Sequence, residues 1–368
     1  MSRPFGMPES NTFVVSAEDR LAQYCERRFA GSLNVSLTKL VGDASTRQYF
    51  RVQDGKTSYI AAVYPESFEP KTQSYCDVTN LYAAAGVPVP KIIHASGSEG
   101  IILQEDLGDG RLQDWLATAS REQISSIYKQ AIDIIVRIQE ATRLAYERDS
   151  VASRLAFDEG RLFWELKFFY SHFTNVTGKH LSQADEAEVM NDLTTIAREL
   201  AGRQRLLTHR DYHSRNLMLG QNNELYVIDH QDARMGPFSY DLASLLYDPY
   251  AALDGDLKRE LYDYYIAAFK GALNAGKIAI AREISSGDRQ QSPEFVALSI
   301  NDFDTTDFRQ EFEMMKLQRM LKAVGTYTYQ QGACGNDVYV IYIDPALTAV
   351  RDSLNALGRF QALKTFIG

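Results

Sequence analysis

Two polar clusters, each set between short apolar runs, restrict the fold of this chain more than any other feature. The first cluster is His209–Asn216, with Leu206-Leu207 before it and Leu217–Leu219 after it. The second cluster begins at Asp229, directly after the run Leu225–Ile228. Apolar runs of this length are typical of buried strands. We therefore expect the polar side chains on loops at the ends of such strands.

The residue types in these clusters, and their spacing, suit phosphoryl transfer to a hydroxyl group. That reaction needs a carboxylate to orient the acceptor hydroxyl and take its proton, and oxygen ligands to hold Mg²⁺ on the phosphates of ATP. Asp211 is the candidate base, and Asn216 and Asp229 are the candidate Mg²⁺ ligands. His209 and Arg210 complete the candidate catalytic group. The expected contribution of His209 is to brace the loop through its ring nitrogens.

Other interpretations of the same region stay open. His209, His213 and His230 are three of the six histidines in the chain, so a zinc site is an alternative. Asp241 lies in the first turn of an apolar helix, where we expect it to cap that helix or to support the loop by accepting backbone N–H bonds. The sequence has no Walker-type glycine loop, no Gly-x-Ser-x-Gly and no His-Glu-x-x-His, which argues against a P-loop enzyme, an α/β-hydrolase and a zinc-helix protease.

The composition limits the classes of partner and compartment. The 368 residues carry a formal net charge of −9, so a polyanion such as nucleic acid is repelled on average. The three cysteines form no Cys-x-x-Cys pair, which fits a reduced, cytoplasmic protein without a disulfide framework. No segment approaches the roughly 20 apolar residues that span a bilayer, so we expect no membrane association. No sequence feature indicates the oligomeric state.

The N-terminal part has the pattern of a mostly antiparallel sheet with one main helix. The capping box Ser16–Asp19 predicts a helix through about Phe29. Strands are predicted over 33–41, 49–52, 59–64, 91–95 and 101–104. The turn Asp54-Gly55 joins two of them as a hairpin, and a helix is predicted over 71–85.

The rest of the chain is mainly helical by pattern. Helices are predicted near 120–147, 158–176, 183–202, 239–247, 256–275, 305–324 and 345–365. A single β island over 216–229 interrupts them, and residues 276–304 lack periodicity and are interpreted as an inserted surface loop. We therefore predict an α+β bilobal fold. A small antiparallel lobe would cover 1–107, and a larger, mostly α-helical lobe would cover 108–368.

Around these residues the chain resembles the aminoglycoside phosphotransferase family, whose members have a protein-kinase-like fold. The resemblance covers roughly 33–325 and is most specific over 206–246. Further segments resemble the bacterial kinases of cell-wall recycling that phosphorylate the anomeric hydroxyl of N-acetylmuramate and N-acetylglucosamine. Those segments are Gly42–Arg51, Glu105–Gly108, Gln231–Ala233, Gly236-Pro237, Tyr240–Leu245 and Gln318–Gly325.

The resemblance implies ATP and Mg²⁺ as cofactors and a small hydroxylated acceptor, an amino sugar in the best match. It implies that a loop over the ATP phosphates includes Gly42, Asp43, Ser45, Thr46, Arg47 and Tyr49. It also implies that Gln104, Glu105 and Leu107 belong to a hinge whose backbone groups bind the adenine edge.

The chain departs from the family pattern at one cation. Enzymes of this fold usually carry a lysine on the third strand, paired with a glutamate on the next helix. Here the third strand is Tyr59–Tyr64, without a lysine, and the helix offers Asp77. Uncompensated phosphate charge is costly, so Arg47 and Arg51 are the candidates to replace that lysine. The alternative for both is an ordinary surface salt bridge.

The leading hypothesis is an amino-sugar kinase. A kinase for an aminoglycoside, choline, homoserine or a methylthio-sugar is the alternative within the same chemistry. The carboxylate of a muramate acceptor would favour a cation in the pocket, for which the candidates are Arg215, Arg234 and Arg319. A catalytically silent pseudokinase is the alternative from another class. The missing third-strand lysine favours it, and the intact set of Asp211, Asn216 and Asp229 argues against it.

Overall fold

A five-stranded antiparallel sheet and two helices form the N-terminal part of the chain. The computed structural model describes residues 15–30, 35–40, 47–220, 223–282 and 293–368. The elements of this part are α1 (Ala17–Arg28), β1 (Val35–Leu40), β2 (Gln48–Asp54), β3 (Thr57–Val63), α2 (Ser74–Ala84), β4 (Ile92–Ser96) and β5 (Ile101–Glu105). The strand order is β1-β2-β3-β5-β4, and each neighbouring pair is antiparallel.

The middle of this sheet is buried on both faces because a helix covers each. Ile101 and Leu103 of β5 pack with Leu21 of α1. Ile102, between them, packs with Tyr75 of α2 in a separate cluster. Successive side chains of a strand point to opposite faces of its sheet. The continuous apolar run in β5 is therefore buried only because α1 covers one face and α2 covers the other.

Helices make up most of the C-terminal part. They are α3 (Leu112–Leu116), α4 (Arg121–Glu140), α5 (Thr142–Glu147), α6 (Val151–Arg154), α7 (Glu159–Thr177), α8 (Gln183–Ala201), α9 (Tyr240–Leu246), α10 (Gly255–Asn274), α11 (Thr305–Cys334), α12 (Ile343–Leu357) and α13 (Gln361–Ile367). Short 3-10 segments lie at Ser214–Asn216, Ile300–Asp302 and Asp337–Tyr342. Among the described residues, no helix is both long enough and apolar enough to cross a bilayer.

The long helix α11 approaches α7 closely at a glycine. A Cβ atom on Gly325 would lie 2.6 Å from the Cα of Phe169, so only a glycine lets the two backbones come this near. Phe169 is fully buried at this contact. The position of α11 along α7 is therefore set by backbone-to-backbone packing.

Three pairs of short strands interrupt the helices in the described part of the chain. They are β6 (Arg205–Thr208) with β9 (Arg234–Pro237), β7 (Leu217–Leu219) with β8 (Leu225–Val227), and β10 (Ala279–Arg282) with β11 (Glu294–Ala297). The polar segment His209–Asn216 connects β6 to β7, and the segment from Asp229 connects β8 to β9. Both polar clusters thus lie on loops between buried strands.

The predicted α+β division is confirmed, with local corrections. The prediction of a single β island is wrong, because β6 and β9 form a second pair in the same region. The interpretation of 276–304 as a loop alone is also wrong, because β10 and β11 pair there. Helix α11 continues ten residues beyond the predicted end at 324, and the predicted helix 345–365 is divided into α12 and α13. The lobe boundary at 107/108 stays a prediction.

Candidate active site

A cavity of about 690 Å³ lies between the sheet and the β7–β8 pair with its adjoining loops. It brings together side chains from β2, from the segment after β5 and from both polar loops. Its lining includes Arg47, Tyr49, Gln104, Glu105, Leu107, Asn216 and Asp229, all of which are candidate nucleotide or metal residues from the sequence. The remaining nucleotide candidates, Gly42, Asp43, Ser45 and Thr46, lie outside the described residues.

The loop between β6 and β7 is held in place by a buried carboxylate. Asp241 accepts the backbone N–H of His209 at 2.7 Å and that of Arg210 at 3.1 Å. Arg210 has a φ of +89°, a strained conformation for a residue other than glycine that needs such support. Burial raises the pKa of Asp241, while the charge of His209 and these N–H bonds oppose the shift. The predicted supporting role of Asp241 is confirmed.

His209 links the two polar loops to each other. Its ring is fully buried, and Nε2 lies 3.0 Å from the carbonyl oxygen of Ile228. A carbonyl oxygen only accepts, so Nε2 carries the proton in this hydrogen bond. Because Ile228 directly precedes Asp229, the histidine fixes the start of the second loop relative to the first. This geometry matches the bracing role expected for His209.

The carboxylate of Asp211 is surrounded by three cations. Lys322 of α11 places Nζ 2.9 Å from Oδ1, and a guanidinium nitrogen of Arg319 lies 3.5 Å from the same oxygen. Nε of Arg210 lies 3.6 Å from Oδ2. Burial alone would raise the pKa of Asp211, but the charges of Lys322 and the two arginines outweigh it. They hold that pKa well below its usual range.

The two candidate metal ligands are adjacent in space. Asn216 donates its amide Nδ2–H to the main-chain carbonyl of Asp211 at 2.9 Å, and its main-chain carbonyl accepts from Ile228 at 3.0 Å. The amide oxygen Oδ1 is therefore the atom of Asn216 that suits a cation. Asp229 is 44% exposed at its side chain and has a φ of +62°. One amide oxygen and one carboxylate suit Mg²⁺, which keeps several water ligands.

The zinc alternative is wrong for the part of the chain that the structure describes. No group of three or more His, Cys, Asp or Glu side chains is arranged there to hold a metal ion. Nε2 of His230 lies 2.6 Å from the hydroxyl of Thr79, and its ring stacks on Tyr75. Burial, with a smaller effect of the His209 charge, lowers the pKa of His230 to about 3. His230 is therefore a neutral packing residue.

The two arginines expected to replace the missing lysine differ in their surroundings. Arg47 lines the cavity, with a guanidinium nitrogen 3.7 Å from Asp229 and its charge 5.7 Å from the ring centroids of Tyr49 and Tyr64. Arg51 also reaches the cavity, but it binds Asp106 at 2.7 Å and Asp109 at 2.8 Å. Both carboxylates lie just after β5, so Arg51 fixes that segment and its charge is already balanced.

Two other sequence interpretations change with the structure. Asp77 was the candidate to replace the acidic partner of the third-strand lysine, but it accepts the backbone N–H of Val151 at 2.9 Å. It therefore holds the start of α6. Arg319 and Arg234, two of the candidates to bind an acceptor carboxylate, are only 6% and 8% exposed. Their burial leaves little surface for contact with an acceptor. Arg215 is partly exposed and lines the cavity, with its guanidinium 4.0 Å from the ring centroid of Tyr250.

The sequence interpretation missed Lys322 as a site residue. It lies 111 residues after Asp211, and their contact depends on how α11 packs. The spacing Gln318-x-x-x-Lys322-x-x-Gly325 belongs to the resemblance, but the pattern by itself assigns Lys322 no role. Gln318 donates to the buried Glu165 of α7 at 2.9 Å. Gln318 and Gly325 therefore dock α11 on α7, and Lys322, between them, is directed to the candidate base.

Comparisons with known proteins identify the family of this chain and several of its relatives. Residues 36–277 match the model of a family described as the phosphotransferase enzyme family. Curated relatives include the N-acetylmuramate/N-acetylglucosamine kinase of Pseudomonas aeruginosa, 32% identical over 57% of this chain and 59% of that protein. The protein of the same name from Neisseria meningitidis serogroup B is 27% identical over 86% of this chain and 83% of that protein. The match thus spans less than two thirds of the Pseudomonas protein.

Solved structures show the same fold. A choline kinase from Cryptosporidium parvum Iowa II superposes with a TM-score of 0.60 at 11% identity, over 95% of this chain and 99% of that chain. Spectinomycin phosphotransferase in complex with ADP and spectinomycin superposes with a TM-score of 0.54 at 11% identity, over 95% and 100%. The predicted protein-kinase-like bilobal fold is therefore confirmed.

Proposed function

Because this chain belongs to the phosphotransferase enzyme family, we propose that it is a small-molecule kinase that phosphorylates an amino sugar with ATP and Mg²⁺. The proposed acceptor group is the C1 hydroxyl of N-acetylmuramate or N-acetylglucosamine. The observation that carries the proposal is the convergence of Asp211, Asn216 and Asp229 from two loops, with the last two lining one cavity. The name shared by the curated relatives supports the choice of acceptor.

The nucleotide would occupy the cavity under the sheet. The adenine edge would face the backbone of Gln104–Leu107, and the ion pairs of Arg51 with Asp106 and Asp109 hold this part of the chain. The phosphates would extend toward Asp229, where Arg47, directly before β2, contributes positive charge. A cation at the start of β2 would then replace the third-strand lysine of other enzymes of this fold.

Asn216 and Asp229 would hold Mg²⁺ through one amide oxygen and one carboxylate. Bound there, the ion would supply charge neutralisation on the β- and γ-phosphates. His209 and Asp241 keep the two loops in register, so both ligands would stand ready before the nucleotide arrives. Preorganised groups of this kind lose little free energy to reorganisation during the reaction.

Asp211 would orient the acceptor hydroxyl. The hydroxyl oxygen attacks the γ-phosphorus, and the bond from that phosphorus to the β,γ-bridging oxygen breaks. The hydroxyl proton passes to the Asp211 carboxylate, and ADP leaves. Because its cations hold the pKa of Asp211 well below the usual range, this carboxylate is a weak base. Its main contribution is therefore orientation, with the proton accepted late in a loose transition state.

Product identity tests this proposal. The full chain is incubated with Mg²⁺, ATP and each of N-acetylmuramate, N-acetylglucosamine, an aminoglycoside and choline, and the products are examined by ³¹P NMR. We expect a new phosphomonoester signal coupled to the anomeric proton of an amino sugar. Phosphorylation of only the aminoglycoside or choline would contradict the proposed acceptor. Binding of ATP without turnover of any acceptor would favour the pseudokinase.

A further inference from the structure

The ion-pair network around Asp211 carries more positive than negative charge. Contacts of 3.6 Å or less join four cations to two carboxylates; the cations are Arg210, Arg234, Arg319 and Lys322, and the carboxylates are Asp211 and Asp232. The Arg161–Glu165 pair behind the network adds one charge of each sign. Two further buried carboxylates, Asp241 and Asp248, accept backbone N–H groups of the loop rather than joining this ion-pair network. This local excess stands out in a chain whose net charge is −9.

Excess positive charge at a partly buried site is unfavourable unless an anion completes it. Burial and the charge of Arg319 lower the pKa of Lys322, even though Asp211 and Glu165 oppose the shift. A further negative charge beside Lys322 would stabilise its ammonium form. The γ-phosphate would supply that charge beside Asp211, where the acceptor oxygen and the phosphate must meet.

The geometry brings Lys322 within reach of the reacting atoms. An acceptor hydroxyl bonded to Asp211 would lie about 2.6 Å from its carboxylate, with the phosphorus about 3–3.5 Å farther on. Nζ of Lys322 already lies 2.9 Å from Oδ1 of that carboxylate, and the side chain is 22% exposed. Arg319 is fixed by Tyr240 and Ser244, with Nε 2.9 Å from the hydroxyl of Ser244. Of these two cations on α11, Lys322 is the one that can move.

We infer that Lys322 is a further catalytic residue, whose ammonium binds the transferring phosphoryl group beside the acceptor oxygen. The inference rests on the proposed phosphoryl transfer. In the resting protein Asp211 takes the place of that phosphoryl group as the partner of Lys322. When the phosphate arrives, Arg210 and Arg319 still neutralise Asp211, so the lysine is released without leaving a buried carboxylate unpaired.

This assignment also gives the α7–α11 contact a function. The backbone approach at Gly325 lies one turn after Lys322 in α11, and Gln318 binds Glu165 one turn before it. Contacts on both sides of Lys322 therefore fix the helix where the lysine leaves it. A cation carried on a docked helix is placed more exactly than one on a loop, as stabilisation of a transition state requires.

Steady-state kinetics of Lys322→Met, Lys322→Arg and Lys316→Met test the inference. Lys316 is a matched control on the same helix, because it is buried and pairs with Glu313 at 2.6 Å, away from Asp211. We expect Lys322→Met to lower kcat by about 10²–10³-fold with both N-acetylmuramate and N-acetylglucosamine, as for loss of one charge-stabilising donor. The KM for ATP should stay within about threefold. Lys322→Arg should recover part of kcat, and Lys316→Met should resemble the unmodified chain.

A binding measurement without an acceptor separates this inference from the proposed function. Aluminium fluoride with Mg-ADP mimics the transferring phosphoryl group. Aluminium fluoride should raise the affinity for Mg-ADP in the unmodified chain, and this increase should be at least about tenfold smaller in Lys322→Met. The affinity for Mg-ADP alone should be the same in both proteins. Unchanged Mg-ADP binding also reports that the variant is folded. If the unmodified chain phosphorylates neither sugar, the proposed acceptor fails while this measurement still decides the role of Lys322.

Two results would overturn the inference. One is an equal effect of Lys322→Met and Lys316→Met on kcat and on the aluminium fluoride affinity. The other is a loss of turnover confined to N-acetylmuramate. That sugar carries a lactyl carboxylate that N-acetylglucosamine lacks, so a selective loss would make Lys322 a binding residue for the acceptor.

Discussion

The amide Nδ2 of Asn216 lies 2.9 Å from the main-chain carbonyl oxygen of Asp211, to which it donates a hydrogen bond. The candidate metal ligand and the candidate base are thereby joined in one hydrogen-bonded unit. The same residue accepts the backbone N–H of Ile228, directly before Asp229. Asn216 therefore connects Asp211, through its side chain, to the residue before Asp229, through its backbone. Phosphoryl transfer would depend on Asp211, Asn216 and Asp229.

We expect Asn216→Ala to raise the Mg²⁺ concentration for half-maximal activity by at least about tenfold. The change removes the amide oxygen proposed as a ligand and also the donor that fixes Asp211. The measurement is a Mg²⁺ titration of turnover at saturating ATP. Asn274→Ala, at the exposed end of α10, is the control and should leave the titration unchanged. An unaltered Mg²⁺ requirement in Asn216→Ala would remove Asn216 from the metal site.

We expect Asp241→Ala to destabilise the fold and lower activity together. The backbone N–H groups of His209 and Arg210 would lose their buried acceptor, at a cost of about 1–3 kcal/mol each. The strained φ of Arg210 would lose its support at the same time. Urea denaturation and kcat are the measurements. A fully stable variant with reduced kcat would mean that Asp241 acts on the reaction rather than on the loop.

We expect Gly325→Ala to destabilise the protein by about 1–3 kcal/mol through overpacking. The new Cβ would meet the Cα of Phe169 at 2.6 Å, so α11 must shift away from α7, and Lys322 with it. The matched control is Gly271→Ala in α10, where a Cβ meets nothing within 4 Å. Gly271→Ala should stabilise the protein by about 0.5–1 kcal/mol, since alanine is the better helix former. Thermal unfolding of the two variants is the measurement, and equal stability of both would contradict the close packing at Gly325.

We expect the stability of the protein to depend on pH through Glu311. Burial raises the pKa of this carboxyl above its usual 4.5, although hydrogen bonds from Ser239 oppose the shift. The folded state therefore binds the proton more tightly than the unfolded state. The stabilisation from this group is complete below about pH 4.5 and is lost as the pH rises through the higher folded value.

Glu311→Gln isolates this effect, because the amide oxygen can still accept from Ser239. Urea denaturation at about pH 4 and about pH 8 gives the free energy of unfolding of each protein. The variant should gain stability relative to the unmodified chain as the pH rises. A difference between the two proteins that does not change with pH would show that Glu311 does not titrate abnormally.

Local patterns in the sequence were sufficient to predict the main elements of the fold and the grouping of the polar loops. The capping box at Ser16 and the Asp54-Gly55 turn are short-range signals, and α1 and the β2–β3 hairpin follow them. Asp211, Asn216 and Asp229 could be grouped because the apolar runs beside them are short and few residues separate them. Strands formed by such runs lie close together, and so do the polar residues at their ends. The pairing of β6 with β9 was missed, since the four residues of β9 carry no alternating pattern of their own.

The contacts made by α11 could not be predicted in the same way. Lys322 and Asp211 are 111 residues apart, and no periodicity in either segment encodes their distance. The pairing follows from the approach of Gly325 to Phe169, which is a property of packed helices. Asp77 occupies the sequence position of the acidic partner of a third-strand lysine, but its carboxylate binds the start of α6.

The most direct test of the account compares Asp211→Asn with Asp229→Ala in two measurements on each protein, kcat and the Kd for Mg-ATP. Asp211→Asn should lower kcat by at least about 10²-fold, because the amide neither orients the acceptor hydroxyl as the carboxylate does nor takes its proton. Its Mg-ATP Kd should stay within about threefold of the unmodified chain. Asp229→Ala should instead weaken Mg-ATP binding. Comparable loss of Mg-ATP binding in both variants, or full turnover by Asp211→Asn, would contradict the division of labour between the two carboxylates.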